Sequence, residues 1–174
     1  MYESSNDKGL NTLYTRYVRK VEINMIKVES FQLDHTKVKA PYVRKVEVKY
    51  GLKGDSISKF DLRFTQPNKE ILSETGIHSL EHLLAGSMRE LLPNIIDISP
   101  MGCKTGFYLT SWGDVSIKEV IKALEYSLNK VLDATEIPAA NELQCGTASL
   151  QSLELAKFHA KAVLDNGISD KYYI

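Results

Sequence analysis

The stretch YVRKVEVKYGLKGDSISKFDLRFTQ, residues 42–66, decides the fold class. Apolar and polar residues alternate on both sides of a glycine-containing turn, GLKGDS, the pattern of two half-buried strands joined as an antiparallel hairpin. KTGFYLTSW, residues 104–112, reads as a third strand. Three helical patterns accompany them. The first runs from about Thr75 to Leu92, ahead of Pro93, with Ile77, Leu80, Leu84, Met88 and Leu91 on one stripe. The second opens on a capping box, Ser116-x-x-Glu119, and carries Ile117, Val120, Ile121, Leu124, Leu128 and Val131 on one face. The third lies near residues 147–164 and stops at Asn166-Gly167. Strands and helices mix without a regular βαβ alternation, so the fold class is α+β, an antiparallel β-sheet packed against helices.

The 174 residues suit one domain with a real core. Lysine plus arginine and aspartate plus glutamate are balanced at 22 each. That balance gives no basic excess for nucleic acid or an anionic membrane, so neither is expected as a partner. No apolar run approaches the ~18 residues of a spanning helix, and the opening MYESSNDKGLNTLYTRYVRK has no secretory apolar core. The expected compartment is the cytoplasm. Residues 1–24 are polar, without a clear period, and contain YVRKVE at 17–22, which recurs letter for letter at 42–47. Six residues are too few for a solenoid unit. Residues 1–24 are read as an N-terminal extension of unassigned role, Met25 as a natural beginning, and 25–174 as a single domain.

GIHSLEHLLAG, residues 76–86, puts two of the chain's four histidines one helical turn apart. At ~100° per residue, His78 and His82 lie about 40° apart in projection, with Glu81 between them and the apolar stripe. Two imidazoles so placed suit a divalent ion of the zinc or ferrous type, and a carboxylate at the core boundary can hold or move a proton. A tight site needs a further donor. NELQCGTAS, residues 141–149, places Cys145 in the approach to a helix, free to reach a neighbouring element, while His35 and His159 compete for the same role. A His₂Cys set leaves a coordination position open. Cys103 stands in SPMGCKTG, a tight turn before a strand, with Lys104 adjacent; it is a candidate base or nucleophile.

HSLEH with its flanks, DISPMGCKTGFYLT and TEIPAANELQCG together resemble S-ribosylhomocysteine lyase, the LuxS family of autoinducer-2 synthases. VESFQLDHTKVKAPYVRK and KFDLRFTQPNKE resemble it too, and the order is collinear from Val28 to the third helix. The resemblance implies that His78, His82 and Cys145 are metal ligands, for Fe(II) with Zn or Co able to substitute. It implies Glu81 and Cys103 as acid/base residues and Ser30, His35, Arg63 and Asp97 as substrate-binding residues. It further implies a homodimer with sites at the subunit interface. The family reaction splits S-ribosyl-L-homocysteine into L-homocysteine and 4,5-dihydroxy-2,3-pentanedione, by carbonyl migration through ene-diolates and β-elimination. Two other readings compete. H-x-x-E-H is also the inverted zincin motif of metallopeptidases. A non-catalytic, metal-stabilised interaction domain would use Cys103 as a fourth, closing ligand.

Overall fold

The computed structural model describes residues 27–174. The extension 1–24, its YVRKVE copy and Met25 lie outside the described residues. The chain divides into two units, Met1–Leu33 and Asp34–Ile174. In the first, the described residues hold a single-turn helix, α1 (Glu29–Gln32), which carries Ser30.

In the second unit, the hairpin read from residues 42–66 forms as β1 (Tyr42–Tyr50) and β2 (Ser56–Arg63), paired antiparallel with Tyr42 opposite Arg63. After helix α2 (Glu74–Ser87) come β3 (Ile95–Pro100) and β4 (Gly106–Trp112), then α3 (Ile117–Asp133) and α4 (Leu153–Asn166). Among the described residues the sheet has four strands in the order β1-β2-β4-β3, antiparallel at every pairing. Strand β3, IIDISP, is absent from the sequence reading. It is a short edge strand that closes on Pro100, and an edge is where a sheet tolerates proline.

One sheet face carries Val43, Phe60, Leu62, Ile98, Phe107 and Leu109, all buried against Leu80, Leu84, Met88, Leu124, Leu128 and Val131 of the helices. Truncating one such leucine to alanine costs about 2–5 kcal/mol. The α2 stripe holds as far as Met88, where the chain tightens into a 3-10 turn, Met88–Glu90. Three residues per turn rotate the stripe, so Leu91 is 41% exposed and Leu92, at 8%, takes the buried place. The capping box forms at α3: Glu119 N donates to Ser116 Oγ at 3.2 Å, and Ser116 N to Glu119 Oε2 at 2.9 Å. Helix α4 starts at Leu153, several residues later than the apolar pattern implies. Leu150 O and Ser152 N bond to His78 Nδ1 and Ser79 Oγ of α2 instead of entering a helix, and Ser152 Oγ caps α4 by accepting from Leu155 N.

The opposite sheet face is different. Strand alternation puts Tyr42 and Arg44 of β1 beside Asp61 and Arg63 of β2, and all four are buried. The chain end runs along this edge of the sheet, with Val43 N donating to Ser169 O and the Tyr42 and Tyr172 rings 5.7 Å apart.

Candidate metal centre and thiol pocket

Helix α2 carries His78 and His82 on one side, half-buried, with the ring centroids 5.0 Å apart. Each ring is pinned through Nδ1 by a backbone carbonyl: His78 to Leu150 O at 2.8 Å and His82 to Pro138 O at 2.7 Å. A carbonyl can only accept, so each Nδ1 carries the proton and each Nε2 presents its lone pair. Both carbonyls belong to the segment between α3 and α4 that also delivers Cys145. Its sulfur lies 3.4 Å from His78 Nε2. The three donor atoms lie within 4.8 Å of one another, and among the described residues they form the one such group able to hold a metal ion. The 3.4 Å separation is close to the ~3.5 Å edge of a tetrahedron whose bonds are ~2.0–2.3 Å, so the donor set fits zinc or ferrous iron. Glu81 sits between the two histidines along α2, half-buried.

His159 is not a member of this group. Its Nε2 accepts from Ser73 N at 3.2 Å and lies 2.9 Å from Ser73 Oγ, a structural clasp between α4 and the start of α2. Burial holds its pKa below the ordinary histidine range. Gly76 makes room for the clasp, because a Cβ there would come within 2.7 Å of the His159 ring.

Cys103 belongs to a second cluster. The turn Met101 to Lys104, closed by Lys104 N on Met101 O at 2.8 Å, presents the thiol before β4. The sulfur is 3.1 Å from Thr105 Oγ1 and 3.8 Å from Arg63 Nη1. Lys104, the neighbour in sequence, turns away to pair with Glu74. The cation at the thiol therefore comes from β2 and not from the adjacent residue. His35, Arg63, Cys103 and Thr105 line one cavity of about 350 Å³. Gly106 lets β4 start this close to β2, since a Cβ there would stand 2.0 Å from Leu62 O.

Arg63 is aimed by a buried network. Its Nε and Nη2 donate to Asp61 at 3.2 and 2.9 Å, which leaves Nη1 for Thr105 Oγ1 at 2.7 Å and the thiol. Tyr42 and Arg44 also donate to Asp61 Oδ2, at 3.2 and 3.4 Å. Burial opposes the Arg63 charge, but the hydrogen bond and charge of Asp61 outweigh it and hold the guanidinium above its ordinary range. Burial and the Asp61 charge together raise the Tyr42 hydroxyl well above the usual tyrosine range.

The predicted site residues thus fall into separate groups. His78, His82 and Cys145 converge, with Glu81 beside them; Cys103, Arg63 and His35 share a cavity that none of the first group lines. Asp97 is exposed on β3 opposite Thr110, which pairs in turn with Lys59, on the same sheet face as Arg63. Ser30 is half-buried on α1, in the first unit. Cys103 does not join the donor group within this chain; its sulfur faces Thr105 and Arg63. The sequence reading missed Asp61, Thr105 and Tyr42. For Tyr42 and Asp61 the signal was the period-two run of tyrosine and charged residues facing each other across the hairpin, Tyr42 and Arg44 against Asp61 and Arg63.

The model of the family described as S-Ribosylhomocysteinase (LuxS) matches residues 28–173. The chain is 73% identical over 150 residues to the S-ribosylhomocysteine lyase of Clostridium perfringens, covering 86% of this chain and 99% of that protein. It is 57% identical over 149 residues to the S-ribosylhomocysteine lyase of Clostridium botulinum, with 86% and 99% covered. For the protein of that name from Pediococcus pentosaceus the identity is 51% over 150 residues, with 84% and 96% covered. No helix among the described residues is long and apolar enough to cross a membrane.

Proposed function

The chain belongs to the S-ribosylhomocysteinase (LuxS) family and is an S-ribosylhomocysteine lyase; we propose that His78, His82 and Cys145 hold its metal ion and that Cys103 and Glu81 move the protons of the reaction. The convergence of two Nδ1-pinned imidazoles and a thiol on one point carries this reading. The donor set suits Fe(II), with Zn or Co able to substitute. Such an ion, when bound, supplies Lewis acidity that makes the C–H bonds beside a sugar carbonyl acidic.

The chain's own residues do the rest. Arg63 Nη1 gives an anionic Cys103 sulfur a charge-assisted hydrogen bond, and Thr105 adds a second donor. Cys103 then lifts and returns carbon-bound protons as the substrate carbonyl moves along the ribose-derived chain. Glu81, beside the metal group, carries oxygen-bound protons. Removal of the proton next to the final carbonyl position breaks the C–S bond, and homocysteine sulfur leaves with the electron pair and takes up a proton. His35, Arg63, Asp97 and Ser30 bind the substrate.

We infer that the lyase acts as a homodimer with its sites at the subunit interface. Within one chain the metal group and the Cys103 cavity have no lining residue in common. A two-fold dimer that sets the metal group of one subunit against the Cys103 cavity of the other would bring His78, His82, Cys145 and Glu81 together with Cys103, Arg63 and His35 at each of two sites. The inverted zincin reading loses its support, because the third donor is a thiol and the chain matches a lyase family over most of its length.

Thiol release from S-ribosyl-L-homocysteine by anaerobically purified, Fe(II)-loaded protein tests the activity. Steady homocysteine production that stops on chelation is the expected result. No release from folded, metal-bound protein would overturn the proposed roles.

A further inference from the structure

Gln151 touches the metal donors and has no part in the reading above. Its carboxamide nitrogen stands 3.2 Å from His78 Nε2 and 3.8 Å from Cys145 Sγ. Its oxygen lies 2.7 Å from Ser79 Oγ, whose single hydrogen has two acceptors in reach, this oxygen and Thr75 O at 2.8 Å. Ser79 is fully buried on α2, and its oxygen accepts from Ser152 N at 2.7 Å. The residues on either side of Gln151 are therefore tied to α2, through Leu150 O on His78 Nδ1 and Ser152 N on Ser79 Oγ. With the backbone held and His78 Nδ1 spent on Leu150 O, His78 Nε2 accepts, so the NH₂ group of Gln151 and not its oxygen faces the donor atoms of the site.

Lone-pair counting decides which contact persists when an ion is bound. The imidazole Nε2 of His78 has a single lone pair, and coordination consumes it. A thiolate sulfur keeps lone pairs after it binds a metal, so the amide N–H of Gln151 is left with sulfur as its acceptor. We propose that Gln151 is a positioning residue of the metal centre, donating an N–H···S hydrogen bond to the Cys145 thiolate. This inference rests on the assignment of His78, His82 and Cys145 as ligands. The hydrogen bond draws charge from the sulfur, lowers the energy of its remaining lone pairs and leaves the bound ion a stronger Lewis acid. It also gives a partner to a sulfur whose residue is 9% exposed. Ser79 acts one step further out, with its hydroxyl against the amide oxygen.

Cobalt(II) loading provides a readout that does not depend on turnover, the sulfur-to-cobalt charge-transfer absorption. In Gln151→Leu and in Gln151→Met, which keeps the side-chain length, the band moves to longer wavelength because the unsupported thiolate gives up an electron more easily. A purely structural Gln151 would lower the thermal midpoint and leave the band in place. A band that stays unmoved in both variants overturns the inference and leaves the ligand assignment standing. A parent protein that takes up cobalt without any such band overturns the Cys145 assignment itself, and the inference with it.

Discussion

The metal group hangs on one turn of α2 and two backbone carbonyls, whereas the Cys103 cavity rests on a charged network that spans β1, β2 and the turn before β4. His78 and His82 need only helical spacing to share a side, and the segment carrying Leu150 and Pro138 orients both rings and brings Cys145. Cys103 needs the sheet. Its cation, Arg63, is 40 residues away in sequence and is held by Asp61, which is itself shared with Tyr42 and Arg44. The difference separates two kinds of fragility. The first group fails when a donor is removed, and the second when the charge balance beneath it is removed.

Substitutions can break or sharpen that contrast. His82→Ala should lose the ion and bring thiol release to background, as read by elemental analysis and turnover together. A full complement of metal in that variant would remove His82 from the ligand set. Cys103→Ala should keep its ion while turnover falls by about 10²–10⁴-fold, the usual worth of a positioned acid/base group. Near-full turnover there would end the proton-transfer role.

Mixing the two inactive variants under subunit exchange tests whether both groups serve one site across an interface. A heterodimer then contains one intact site of two, so about a quarter of the parent activity returns in a random mixture. No recovery would place both groups in the same chain's site. For the network, Arg63→Met leaves Asp61 buried with a weaker set of partners and should cost about 3–5 kcal/mol in urea unfolding. A much smaller loss would mean that Tyr42 and Arg44 hold Asp61 unaided.

The smallest effect concerns His159. Its folded-state pKa is lowered by burial, so the unfolded chain binds the proton more readily. The clasp's contribution to stability is present above the unfolded value of about 6.5 and is lost as pH falls toward the lower folded value. Urea midpoints of the parent should drop between pH 7.5 and 5.5, and part of that drop should vanish in His159→Gln. An unchanged slope would show that other groups carry the pH dependence.

Several features were legible without coordinates because they obey local periods. The hairpin shows in the alternation of residues 42–66, α3 in its capping box and apolar stripe, and the shared side of His78 and His82 in a spacing of four. The thiol turn at Cys103 shows in its proline and glycines. Local rules failed where long-range contacts set the outcome. Strand β3 is too short and too near Pro93 to show a period, and it exists because β4 pairs with it. The start of α4 moved to Leu153 because Leu150 O and Ser152 N bond across to α2 and Ser152 caps the helix through Leu155 N.

By itself the sequence determined the α+β class, the paired histidines with Glu81 between them, and a set of donor and acid/base residue types that resembles one enzyme family. Only the tertiary structure decided which partner each side chain meets. It brought Cys145 and not His159 beside His78 and His82, turned Lys104 toward Glu74, put Arg63 at the Cys103 thiol, and set Gln151 against His78 and Cys145. The physical reason is range. Spacing along a helix or strand follows from backbone geometry within a few residues, but a hydrogen bond between residues 40 or 72 apart exists only once the sheet and helices have closed around a common core.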